Sequence, residues 1–332
     1  MLREAVSRPL RTRAGVGKKG GGGLRDHAPG ERQAVYIVQA NLGIERRVGA
    51  HGAVQAGVLR AQGYHLPLMK DLNPVSGLIP PGVDCTPGNI DPDLDYGGIP
   101  CHLGDPLTGS IAAITTEGRS WYTAVDLGYR LERADASLST SYTWSKAEDL
   151  GFDPLKNGIS LPPDSTNIAG ERGRADGERR HRLVVSGDTA LPWFALRLSG
   201  VLQLASGAPF NVTTGTDDNL DGILSDRPPG VGRNTGSATP LGAVNDVRSE
   251  AGLGPVTSLA EPSFAQFDLR VYRPFVWDAG RGSGVVFLQV INLLDRENPG
   301  LIEGRAVSPS FGEVTSLAGP PRTVEIGFRL GH

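Results

Sequence analysis

The stretch SWYTAVDLGYRLERADASLSTSYTWSKAEDLG, Ser120–Gly151, decides the fold. Trp121, Thr123, Val125, Leu127, Tyr129 and Leu131 share one face, while Tyr122, Asp126, Gly128 and Arg130 share the other. Successive side chains of a strand point to opposite sides, so this period of two marks a strand with one apolar face. After the short connection Glu132–Asp135 the pattern restarts. Ala136, Leu138, Thr140, Tyr142 and Trp144 are opposed by Ser137, Ser139, Ser141, Thr143 and Ser145. Two such strands joined by a tight turn form an antiparallel hairpin with one apolar and one polar side.

The same alternation spreads outward. Phe194, Leu196, Leu198, Gly200, Leu202 and Leu204 oppose Arg197, Ser199 and Gln203. Further strands are read around Tyr36–Glu45, Arg182–Asp188, Phe267–Tyr272 and Thr323–Leu330. Gly52–Gly63 and Gly284–Leu294 read as strands with blurred faces. This makes about nine strands of about ten to thirteen residues each. Soluble strands usually run about five or six residues, whereas bilayer-crossing ones need about nine to eleven.

The connections sharpen the contrast. Short turns are expected near Arg46–His51, Glu132–Asp135, Leu191–Trp193 and Trp277–Ser283. Long loops are expected over Tyr64–Gly118, Lys146–Arg180, Ala208–Phe264 and Arg296–Pro321. Compact soluble domains rarely hold several such loops, but outer-membrane barrels alternate short periplasmic turns with long extracellular loops. Trp121, Tyr122, Tyr142, Trp144, Trp193 and Phe194 stand near strand ends, where interfacial aromatic girdles form. A secreted β-sandwich explains the alternation equally well, but it accounts poorly for the strand length and loop asymmetry. The expected fold is all-β, an antiparallel transmembrane β-barrel segment with its polar face toward the lumen and its apolar face toward lipid.

Composition agrees. The 332 residues carry a net charge of −3, so nothing draws the whole chain toward nucleic acid. The 46 glycines and 25 prolines favour turns and loops over helices. No run reaches the roughly 18 apolar residues of a membrane helix. Residues 1–32 form a basic, Gly-rich leader, expected to be disordered, without the apolar core of a signal peptide. Residues 33–332 are expected to form the barrel portion.

Several features suggest chemistry. Cys85 and Cys101 are candidates for a local disulfide in an oxidising compartment, and their spacing matches no zinc pattern. In TGTDDNLDGILSDRPPG (Thr214–Gly230), Asp217, Asn219, Asp221 and Gly222 match the opening of a calcium loop. The twelfth position from Asp217 is Pro228 where an EF-hand needs Glu, and strands flank the loop. It is not an EF-hand. Asp217, Asn219, Asp221 and Asp226 remain candidate calcium ligands, against the alternative of an Asx-rich turn bonding its own backbone. GVGKKGGGG departs from phosphate-loop spacing, and no serine sits in a nucleophile elbow. With His65, His102 and His181 scattered, no enzyme activity is expected and no cofactor beyond calcium. ERGRADGERRHR (Glu171–Arg182) is expected as a solvated extracellular rim that could meet an anionic ligand.

A family resemblance joins these pieces. The opening stretch, GERRHRLVVSGDTALPW (177–193) and SGAPFNVTTGTDDNLDGILSDRPPGVGRN (206–234) resemble successive segments of Oar-like TonB-dependent outer-membrane receptors. FDLRVYRPF (267–275), VINLLDRENPG (290–300) and AGPPRTVEIGFRL (318–330) resemble the family's last three strands. The resemblance implies a bacterial outer-membrane location and the C-terminal part of a twenty-two-strand barrel. In the intact receptor it implies a plug inside the barrel, TonB as partner and an imported ligand whose identity is unknown. No segment resembles a plug or a TonB contact motif, and GFRLGH lacks the family's terminal aromatic residue. The chain is therefore expected to be a barrel fragment, not transport-competent alone, embedded in outer-membrane lipid. With its short turns taken as periplasmic, an odd strand count leads to the expectation that the first strand starts on the extracellular side. The alternative is a secreted or surface-exposed β-protein that binds calcium or a partner through its loops.

Overall fold

A computed structural model describes residues 33–78, 100–102, 110–151, 161–219, 223–277 and 282–331. The first strands are β1 (Tyr36–Val48), β2 (Gly52–Asp71), β3 (Val75–Leu78) and β4 (Pro100–His102). Then come β5 (Ala112–Glu132), β6 (Ala136–Asp149), β7 (Gly173–Arg174) and β8 (His181–Ala190). Last are β9 (Arg197–Ala205), β10 (Phe264–Trp277), β11 (Gly282–Ile291) and β12 (Thr323–Gly331). One sheet runs β1-β2-β5-β6-β8-β9-β10-β11-β12, antiparallel throughout, with β7 beside β6; β3 and β4 pair apart from it. The nine strands of that path are the nine read from the sequence. The one α-helix among the described residues is α1 (Leu241–Glu250), in the loop between β9 and β10. None of their helices is long and apolar enough to cross a membrane.

The register carries one apolar face across the sheet. Ile44 lies opposite Ala56, Ala56 opposite Leu127, Leu127 opposite Tyr142, and Tyr142 opposite Leu183. Leu183 then meets Leu204, which meets Ala265. This row also climbs. Ile44 stands four residues short of Val48, where β1 ends, while Ala265 stands twelve short of Trp277, where β10 ends. Such a stagger accompanies strands tilted against the axis of a barrel wall.

The apolar face is not buried in protein. Leu42 is 69% exposed, Ile326 82% and Phe328 73%. Burial falls instead in the long-loop layer, where Phe210, Val212, Val231, Val244, Ala306 and Phe311 pack together. A sandwich would bury its sheet faces against each other; here no described element covers the apolar face, which suits a wall solvated by hydrocarbon. On β5, Trp121 and Tyr129 bracket Val125 and Leu127 on this face. Eight residues at a rise of ~3.4 Å span about 27 Å, or about 20 Å along the membrane normal at usual barrel tilt.

Two strands far exceed the expected length, while β6 and β10 pass it by one residue. β2 has 20 residues and β5 has 21. They pair to Asp71 and Ala112 after irregularities between Gly63 and Leu68, where His65 takes φ 55°. The extension follows from packing beyond the apolar band. There Leu68 is buried with Leu150 and Ile168, and Asp71 Oδ1 accepts Ile111 N–H at 2.7 Å.

Candidate functional site

The polar face is where solute and protein could meet. At its short-turn end, Asp188 on β8 accepts Arg197 Nε–H at 2.8 Å and the Tyr272 hydroxyl at 2.8 Å, while Arg197 Nη2 also binds Asp188. Tyr272 is the register partner of both Arg197 and Phe287, so β8 to β11 are tied on one side. Arg270 lies over the Phe287 ring at 3.9 Å, and its Nε is buried without a hydrogen-bond partner. Higher up, Thr143 donates to Asp126 at 2.6 Å, and Asp268 accepts from Gln266 Nε2 at 3.0 Å and Asn292 N–H at 2.8 Å. Both signs of charge alternate with serines and glutamines. This is a wettable wall.

Above the sheet, the long loops form a second layer held by buried ion pairs. Arg227 Nη2 donates to both Glu171 oxygens at 2.6 and 2.7 Å, with both side chains nearly buried. Arg233 binds Asp149 and the Glu171 and Gly173 carbonyls. Arg174 joins Glu178 and, at 2.8 Å, Glu261. Glu178 Oε1 also accepts Ala147 N–H at 3.1 Å. Glu171–Arg182 is thus not simply the solvated rim its composition suggests. Glu171 is buried against Arg227 from a distant loop, and Glu178 against Arg174, four residues before it. The partners Arg227 and Glu261 lie too far along the chain for any local pattern to reveal them.

The calcium-loop residues are only partly described. Asp226 is buried, and its Oδ2 accepts Asp218 N–H at 2.7 Å and Asn219 N–H at 3.3 Å. Asn219 Nδ2 donates to the Pro163 carbonyl at 2.9 Å. These are the bonds of an Asx-rich turn anchored to a neighbouring loop. Asp217 lies beside them, and Asp221 falls outside the described residues. Among the described residues, no group of three or more His, Cys, Asp or Glu side chains is placed to hold a metal. Cys85 and the leader also lie outside the described residues, and with Cys85 the candidate disulfide to Cys101. His181 Nδ1 and the Tyr142 hydroxyl are hydrogen-bonded at 2.8 Å, which places the histidine on the apolar face at the loop end.

Residues 8–325 match the model of a family described as "Outer membrane beta barrel domain". Among solved structures, the chain is similar to the outer membrane transporter YddB from Escherichia coli, with a TM-score of 0.51 and 10% identity. That match covers 90% of this chain and 32% of the transporter, so the chain spans about a third of its length. At such identity the likeness speaks for the fold alone. No curated protein matches.

Proposed function

The chain belongs to the outer membrane beta barrel domain family, and from that premise we propose that it is part of the barrel wall of an Oar-like, TonB-dependent receptor. On this reading the 332 residues supply wall and extracellular loops. Further strands, the plug and the TonB contact come from elsewhere in the receptor, and the imported ligand passes along the polar face. The observation that carries the reading is the open sheet, in which β1 and β12 each pair on one side only among the described residues. An unpaired edge in hydrocarbon leaves backbone groups unsatisfied at a cost of several kcal/mol each. The order of family-like segments from the first hairpin to AGPPRTVEIGFRL adds the receptor type. A secreted β-protein is less well supported, because it would leave Leu42, Ile326 and Phe328 in water.

Refolding the full chain alone in detergent tests the reading. We expect no heat-modifiable, protease-resistant monomer; obtaining one would show that the sheet closes on itself and would remove the fragment reading. Sequencing the neighbouring DNA tests the receptor type. A plug and a TonB motif in a contiguous frame are expected, and an unrelated neighbour with no such frame counts against it.

A further inference from the structure

On β1, β2, β5 and β6, the residues Ala40, Arg60, Thr123 and Lys146 form one register row. The next row toward the short turns is Leu42, Val58, Val125 and Trp144; the next toward the long loops is Val38, Gln62, Trp121 and Glu148. All three rows stand an even number of residues from the Ile44, Ala56, Leu127 and Tyr142 row. Their side chains therefore leave the sheet on its lipid-facing side. Ring contacts agree with that placement. Arg172 lies over the Trp121 ring at 4.2 Å, and Arg119 lies over the Tyr64 ring at 5.6 Å. Tyr64 stacks on its register partner Tyr36 at 5.0 Å.

Positive charge is in surplus on this patch. Glu148 is shared between Lys146 at 2.7 Å and Arg172 at 2.6 Å, and Glu117, farther out on β5, is held by Lys70 at 2.7 Å. Arg60 and Arg119 are exposed and form no ion pair among the described residues. Contact with water explains exposed arginines beyond the aromatic girdle. It does not explain Arg60, which stands one row on the membrane side of Trp121. A cation on the lipid face is costly at mid-membrane and cheap near the interface, where its stem lies along apolar surface and its head reaches the headgroups.

We propose that this patch docks a phosphate-bearing anionic lipid of the outer leaflet. Its phosphate sits over the Trp121 row, reached by Arg60 from the membrane side and by Arg119 from the loop side, with an acyl chain along Val58 and Leu42. Both apolar residues are exposed on this face. The inference rests on the outer-membrane placement but not on TonB coupling. Arginine suits the task because its planar fork binds phosphate in bidentate fashion. Gln62, in the Trp121 row, uses its Oε1 for the Tyr64 hydroxyl at 2.7 Å and leaves its amide N–H groups to donate.

Native mass spectrometry of the full chain in dodecyl maltoside micelles reads the preference, with phosphatidic acid and phosphatidylcholine of equal chain length as probes. We expect phosphatidic acid to be retained about tenfold or more over phosphatidylcholine. Each arginine near an anionic headgroup contributes about fivefold, so Arg60→Gln with Arg119→Gln removes the preference. Two controls leave it intact: Arg46→Gln, on the same face at the short-turn end, and Arg182→Gln, on the polar face at the loop end. Residues 1–32 are common to every variant, so their charge cancels in the comparison. Circular dichroism checks the β-content of each variant. If the double variant loses it, the two single variants are read instead, each expected to lower the ratio about fivefold. Equal retention of the two lipids overturns the proposal, as does a preference that survives the Arg60 and Arg119 substitutions or falls equally in the controls. Full displacement of phosphatidic acid by millimolar inorganic phosphate also overturns it, by assigning the site to a free anion. Release of the chain from membranes by carbonate would remove the outer-membrane placement and the proposal together, whereas a lost preference in a carbonate-resistant chain removes the proposal alone.

Discussion

Gly49 carries the β1–β2 turn at φ +67°, and a Cβ added there meets nothing within 4 Å. The only penalty for a side chain is therefore the left-handed backbone, about 1–2 kcal/mol. Gly49→Ala is expected to speed amide exchange across this turn about tenfold in the micelle-bound chain, with the β5–β6 turn unchanged as the internal control. Glu303 makes a second prediction at this scale. Side-chain hydrogen bonds from Arg305 hold its carboxyl below the usual 4.5, against partial burial that pushes the other way. A carboxyl whose folded pKa is depressed stabilises the fold above its unfolded pKa and loses that contribution as pH falls through the folded value. Exchange across residues 300–317, corrected for its intrinsic pH dependence, is expected to quicken below about pH 4.5. In Glu303→Gln this added acidic sensitivity disappears. No unusual composition marks either residue; Gly49 is one of 46 glycines, and only the turn gives it meaning.

Among elements, the nine long strands were legible because most keep a period of two where one side faces hydrocarbon and the other water, β2 and β11 more faintly than the rest. The outer extensions of β2 and β5 were not. Beyond the band, loops cover both faces, so alternation is no longer required and Leu68, Met69 and Asp71 are all buried. The loop layer was illegible for a related reason. Arginines and glutamates read as solvated until distant partners are known, and Arg227 reaches Glu171 from 56 positions away. Removing one member of a buried pair leaves the other charge stranded, at about 3–5 kcal/mol. Arg227→Met is expected to lower the opening free energy of α1 by that amount in native-state hydrogen exchange, since Arg227 also holds the Val231 carbonyl beside the Val244 core. Arg227→Met with Glu171→Leu should recover most of the loss. If the single variant is neutral, the pair does not hold the layer.

For the whole molecule, the face assignment makes the decisive prediction. Leu127 lies within the apolar band on β5, and Ser141 lies on the polar face of β6 opposite Gly128. Leu127→Arg is expected to cost about 2–4 kcal/mol of membrane insertion, while Ser141→Arg costs little. Vesicle partitioning of the two variants measures the difference, and equal behaviour would mean that the faces are reversed or the sheet is not in lipid. The sequence by itself determined the strands, their faces, the alternation of short and long connections and the barrel class, because all of these follow from local periodicity against two solvents. Only the tertiary structure decided the register stagger, the buried ion pairs above the wall, and the gathering of Arg60, Arg119, Lys146 and Arg172 at the outer edge of the lipid face. These depend on which residues distant strands and loops bring side by side, and no local pattern encodes that pairing.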